Sequence, residues 1–121
     1  MAKGEREFFD VSEIDWRPVE GGSGAQGPGV WEKILSRDEK TGDYTRILRL
    51  DPGVETVGVL EHDFWEEVII LDGSLVDQTL NQEFTKGMYG CRPPGMKHGP
   101  YRAPNGCMRF NRSLDIIKNL R

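Results

Sequence analysis

His62 and His98 are the only histidines in a chain of 121 residues, and each stands at the end of a β-type segment beside turn residues. Glu66 follows His62 by four positions. On an extended strand, or across a tight reversal, that spacing returns both side chains to one face. A helix would also accommodate it, but Val57-Gly58-Val59-Leu60 before the pair and Val68-Ile69-Ile70-Leu71 after it are β-type sequences. Glu67 is the competing acid, and alternation turns it to the opposite face from His62 and Glu66. Imidazole and carboxylate are side chains that hold divalent ions and exchange protons near neutral pH. The competing reading makes His62 and His98 hydrogen-bonded pocket residues and Glu66 an ordinary acid at a strand start.

The elements that must position these residues are short. Trp31–Leu35, Tyr44–Leu50, Thr56–Glu61, Glu67–Leu71, Leu75–Leu80, Tyr89–Arg92 and Met108–Ser113 all read as strands. Turn sequences separate them: Asp38 to Asp43, Asp51-Pro52-Gly53 and Asp72-Gly73. Short strands at near-regular spacing predict an all-β fold, an antiparallel barrel or jelly-roll sandwich with little or no helix. Only Leu114 to Leu120 has the makings of a helical turn or tail. Upstream lie the aromatic segment Phe8-Phe9 and then a run from Gly21 to Gly29 with five glycines and a proline. This run lacks the Gly-Lys-Ser/Thr ending of a phosphate loop and reads as a linker. One domain over 1–121 is expected: an arm and glycine-rich loop at 1–30, a barrel at 31–113 and a tail at 114–121.

Composition narrows the partners. Sixteen basic residues against 20 acidic give a net charge of −4, so nucleic acid is not the expected partner. The longest purely aliphatic run is the four residues 68–71, far short of the ~20 that cross a bilayer. The first residues are polar and charged, so no secretory signal is read and a cytoplasmic location is expected. Cys91 and Cys107 are too few for a disulfide framework and are expected as free, buried thiols.

The spacing of Gly53, His62, Glu66 and Gly73 resembles the first cupin motif, and Gly87 through Pro93-Pro94-Gly95 to His98 resembles the second. Phe64-Trp65-Glu66-Glu67-Val68 with Leu71-Asp72-Gly73 is similar, more narrowly, to the cupin domain of ChrR-type anti-sigma factors and to related dioxygenases that cleave acetylacetone or dihydroxyacetophenone. The chain departs from the motif in two places. The first histidine of the family pair falls at Leu60, and the asparagine beyond the second motif's histidine falls at Arg102. The resemblance therefore implies three metal ligands that double as catalytic residues: His62, Glu66 and His98. Two imidazoles and a carboxylate form a facial triad with open positions, suited to Fe(II) first and also to Zn, Mn or Ni.

Alternation from His62 points Leu60, Gly58 and Thr56 inward and leaves Val57 and Val59 facing a second layer or a partner chain. From Glu66 it points Val68 and Ile70 inward, giving a largely apolar pocket. Leu60 enlarges that apolar wall. Among Arg92, Arg102 and Arg109, one facing inward could clamp a substrate carboxylate by a two-pronged hydrogen bond, whereas exposure on a barrel rim is the ordinary alternative for each. Trp31, Tyr44, Trp65 and Tyr101 are candidates for an aromatic lid, with Trp65 placed at the pocket mouth and core packing as the alternative. Cys107 is expected near the site but not as a ligand. The expected activity is that of a metal-dependent enzyme on small oxygenated organics. A non-haem dioxygenase of a diketone or hydroxyketone leads, with a lyase or isomerase next, and a homodimer is expected. The alternative is a non-catalytic, ligand-binding sensor of the anti-sigma type.

Overall fold

The computed structural model describes residues 3–19 and 27–114. Within them the chain forms a 3-10 turn, Val11–Glu13, and eleven strands. The strands are β1 (Arg17–Pro18), β2 (Val30–Arg37), β3 (Tyr44–Leu50), β4 (Val54–Glu55), β5 (Leu60–Glu61), β6 (Trp65–Asp77), β7 (Gln82–Thr85), β8 (Tyr89–Arg92), β9 (Lys97–His98), β10 (Tyr101–Ala103) and β11 (Cys107–Leu114). Nine form one curled antiparallel sheet ordered β1-β2-β3-β11-β6-β10-β4, with β7 and β8 also paired to β6. β5 and β9 form a separate two-stranded ribbon. The all-β half-barrel agrees with the sequence reading, and no helix among the described residues is long and apolar enough to cross a membrane.

β6 makes the sheet curl. Its first half lies between β11 and β8, with Glu66 opposite Ser113 on one side and Arg92 on the other. Its second half lies between β7 and β10. The exchange of neighbours occurs at a bulge, where Met108 pairs with Asp72 and Arg109 with Ile70. Gly73 follows it at φ 73°, and a Cβ there would stand 2.1 Å from the Gly106 carbonyl oxygen, so the strand crossing requires glycine.

Asp72-Gly73 is thus a bulge inside a 13-residue strand and not the turn expected from sequence. The separate strand expected at Leu75–Leu80 is the second half of β6, which stops at Asp77. There the Asp77 carboxylate accepts from the Thr79 and Leu80 amides and turns the chain into β7. The strand expected over Thr56–Glu61 is also interrupted. Thr56 is drawn to β10, its amide donating to the Tyr101 carbonyl and its hydroxyl accepting from the Tyr101 amide, both at 2.8 Å. Gly58 then takes φ 79°, which no strand sustains. Gly58 is exposed, correcting its inward placement, while Thr56 is buried. The helical turn expected at the C-terminus lies outside the described residues beyond Leu114, as do residues 21–26 of the linker read over Gly21 to Gly29.

The interior has two chemically distinct ends. Val30, Leu48, Leu50, Ile70, Leu75, Tyr101, Ala103 and Cys107 form the apolar cluster, each large side chain contributing ~1.5–3 kcal/mol by burial. Toward the other end the inward positions of the same strands become polar or charged: Glu32 on β2, Arg46 on β3, Glu66 on β6, and Arg109 and Asn111 on β11, all buried. Cys107 belongs to the apolar end, and Cys91 is exposed, against the expectation of two buried thiols.

Candidate metal centre

His62 follows directly after β5, and the bend at Asp63-Phe64 returns the chain so that Glu66, second residue of β6, faces the same interior. His98 ends β9 and lies opposite Leu60 in the β5–β9 ribbon. The ribbon is tied down by the Pro93-Pro94-Gly95 turn, whose Gly95 amide donates to the His62 carbonyl at 2.8 Å. Ligand-type atoms of His62, Glu66 and His98 all lie within 4.8 Å of one another, and all three residues are buried.

The polar atoms at this cluster divide into satisfied and unsatisfied ones. The Glu66 Oε1 atom accepts from Arg92 Nη1 at 3.1 Å, while Oε2 faces His62 Nε2 at 3.5 Å. One nitrogen of His98, Nδ1, is 2.8 Å from the hydroxyl of fully buried Tyr101. That contact fixes the ring and leaves Nε2 buried without a partner. Both ring nitrogens of His62 are likewise buried without a hydrogen bond among the described residues, and the ring stacks on Phe64 at 4.7 Å between centroids. Buried polar atoms are normally paired. One free nitrogen from each imidazole together with a carboxylate oxygen is a donor set that fits a divalent cation.

The electrostatics keep the imidazoles neutral, as ligands must be. Burial lowers the His62 pKa, and burial together with the Arg92 charge lowers that of His98 to about 4. For Glu66 burial works upward, but the charges of Arg109 and Arg92 work against it, and the carboxyl is held below its usual range. Tyr101 is pushed up to about 12 by burial, so its hydroxyl stays protonated.

The other residues singled out in the sequence are distributed less uniformly. Leu60 is half-buried against the apolar cluster, opposite His98. Arg92 is buried and engaged with Glu66, and Arg109 is buried on β11. Arg102 is exposed on β10, so the position of the family's asparagine faces outward. Tyr101 contacts His98 rather than lining the mouth. Trp65 is a correction: it stands on the outer face with Glu67, lining a shallow groove with Cys91, Arg112 and Leu114. A cavity of about 460 Å³ opens instead over His98 and Arg92, between Val59, Leu80, Phe84 and Met96. Sequence reasoning missed the buried network behind the cluster, in which Arg46 donates to Glu32 Oε1 at 2.7 Å and to Asn111 Oδ1 at 2.9 Å. Its signal was available, since Glu32 and Arg46 occupy the inward register of Val30 and Leu48.

A family model described as the ChrR cupin-like domain matches residues 4–116. Among solved structures, an RmlC-like cupin from Shewanella frigidimarina superposes with a TM-score of 0.72 at 16% identity, covering 100% of both chains. An acetylacetone dioxygenase from Acinetobacter johnsonii gives 0.72 at 17% identity over 94% of this chain and 77% of that one. The anti-sigma ChrR from its complex with Rhodobacter sphaeroides SigE gives 0.63 at 21% identity, over 87% and 52%. At such identities the likeness concerns the fold. No curated protein matches the chain.

Proposed function

The chain belongs to the ChrR cupin-like domain family, and from that membership and the site we propose a metal-dependent enzyme acting on small oxygenated organic molecules, foremost a non-haem dioxygenase of a diketone or hydroxyketone. The observation that carries the proposal is the convergence of His62, Glu66 and His98, with three of the four imidazole nitrogens lacking a hydrogen bond among the described residues and with His98 on the wall of a cavity large enough for a small molecule. A divalent ion held by these three residues would supply Lewis-acid chemistry and, as Fe(II), the reduction of dioxygen.

The protein's own groups do the positioning. Arg92 draws on Glu66 Oε1 and so orients the carboxylate with Oε2 toward the imidazoles. Tyr101 sets the His98 ring from behind. Leu60, where a fourth ligand would stand, presents a hydrocarbon wall and leaves that position to substrate or water. Val68 and Ile70, both buried, exclude water from the side of β6.

The test is dioxygen uptake by protein reconstituted anaerobically with Fe(II), using acetylacetone and hydroxyacetophenones as substrates. Uptake abolished by His62→Ala and by His98→Ala supports the reading, and iron-loaded protein inert toward every diketone and hydroxyketone refutes it. The family match also favours a second reading, a non-catalytic sensor domain. Co-purification with a transcription factor together with that inertness would put the sensor first.

A further inference from the structure

Three arginines are buried inside the half-barrel, and two are matched to acids: Arg46 to Glu32 and Arg92 to Glu66. Arg109 is 3% exposed, and its Nε and Nη1 atoms are buried without a hydrogen-bond partner among the described residues. Its cross-strand neighbours, Leu48 and Ile70, are apolar and offer no acceptor. The Arg109 charge acts on Glu66, whose Oε1 accepts from Arg92, and no hydrogen bond to Arg109 Nε or Nη1 is formed among the described residues. A buried guanidinium with unmet hydrogen bonds is costly, and the cost falls when an anion completes it.

The space beside Arg109 is shaped for such a group. A chamber of about 60 Å³ is lined by Arg109, Arg92 and apolar side chains of β6 and β7. It shares Phe84, Gly90 and Arg92 with the wider cavity that has His98 on its wall, so the two adjoin. The chamber holds about two water-sized groups, one water occupying ~30 Å³ in the liquid. Nε and Nη1 each form, together with Nη2, a fork of parallel N–H donors that matches the two oxygens of a carboxylate. We propose that Arg109 is a carboxylate-binding residue and that the molecule accepted by this site is a small oxo or hydroxy acid whose acid end enters the inner chamber. The inference rests on the reading of the cluster as a small-molecule centre and narrows its substrate class.

Calorimetric titration tests it, using Zn(II)-loaded and metal-free protein against two matched pairs: pyruvate with butane-2,3-dione, and 4-oxopentanoate with hexane-2,5-dione. Each pair replaces a carboxylate by an acetyl group. The acids are expected to bind at least tenfold more tightly than the diketones in the wild type. Arg109→Gln should remove that preference while leaving zinc content unchanged. Arg109→Met, of similar length and uncharged, should leave the metal-free protein's thermal midpoint unchanged or raised, whereas a structural arginine would lower it. Equal affinity within both pairs, or a preference that survives Arg109→Gln, overturns the proposal. Wild-type protein that takes up no zinc would instead refute the metal centre, and a carboxylate preference in the metal-free protein would still stand on its own.

Discussion

Replacing Tyr101 by phenylalanine isolates the contact that aims His98. The hydroxyl lies 2.8 Å from Nδ1, the residue is fully buried, and Phe keeps the ring while deleting one oxygen. The backbone there is held separately, through the paired hydrogen bonds with Thr56, so the ring is not expected to move. Two magnitudes follow. In the metal-free protein Nδ1 joins Nε2 as a buried atom without a partner, which costs about 1–3 kcal/mol. In the metal-bound protein the ring loses its orienting partner, a change that commonly weakens a metal site 10–100-fold, or ~1.4–2.7 kcal/mol. Zinc affinity is read by competition with a chromophoric chelator, and stability by urea unfolding of the metal-free protein. Tyr89→Phe is the control, because the Tyr89 hydroxyl donates to Glu67 on the outer face. The reasoning is refuted if Tyr101→Phe binds zinc as tightly as the wild type while His98→Ala does not.

Acid is expected to unfold the metal-free protein early. His98 has a folded pKa of about 4 against ~6.5 when unfolded, so between these values the unfolded chain binds more protons. Stability is full above pH ~6.5 and falls as the pH drops toward 4, by about 3 kcal/mol from His98 alone; urea midpoints flat across that window would contradict this. Leu60→His puts an imidazole opposite His98 in the β5–β9 ribbon and is expected to tighten zinc binding while weakening the binding of small molecules; unchanged or weaker zinc binding would count against the assignment of the site. Tyr89, Ile69, Phe110 and Ile47 form one outward row across β8, β6, β11 and β3, and light scattering at micromolar concentration is expected to give a dimer. A monomer would leave that row without the partner expected for it.

The parts of this molecule that were legible in the sequence are those fixed by local chemistry. Turn residues marked the ends of β3 and β8, alternation set Val68 and Ile70 inward, and Pro93-Pro94-Gly95 marked the motif that ends in His98. What escaped is what only the register decides. Asp72-Gly73 serves a turn or a bulge equally well, because both use a left-handed glycine, and only Gly106 passing alongside distinguishes them. β7 reads Gln-Glu-Phe-Thr, too polar to declare itself before it pairs with β6. For Trp65 the signal was present, since the alternation that turns Glu67 outward turns Trp65 outward as well. The pairing of Arg92 with Glu66 and the lack of a partner for Arg109 were invisible for a different reason. Alternation shows which charges face inward, but their matching depends on which strands become neighbours across the curl.

The central claim, that His62, Glu66 and His98 converge to hold one cation, is tested most directly by elemental analysis of the purified protein. The expected result is about one divalent ion per chain, retained through dialysis and lost in both His62→Ala and His98→Ala. Metal-free protein that takes up none on reconstitution, or metal content indifferent to both substitutions, would contradict it.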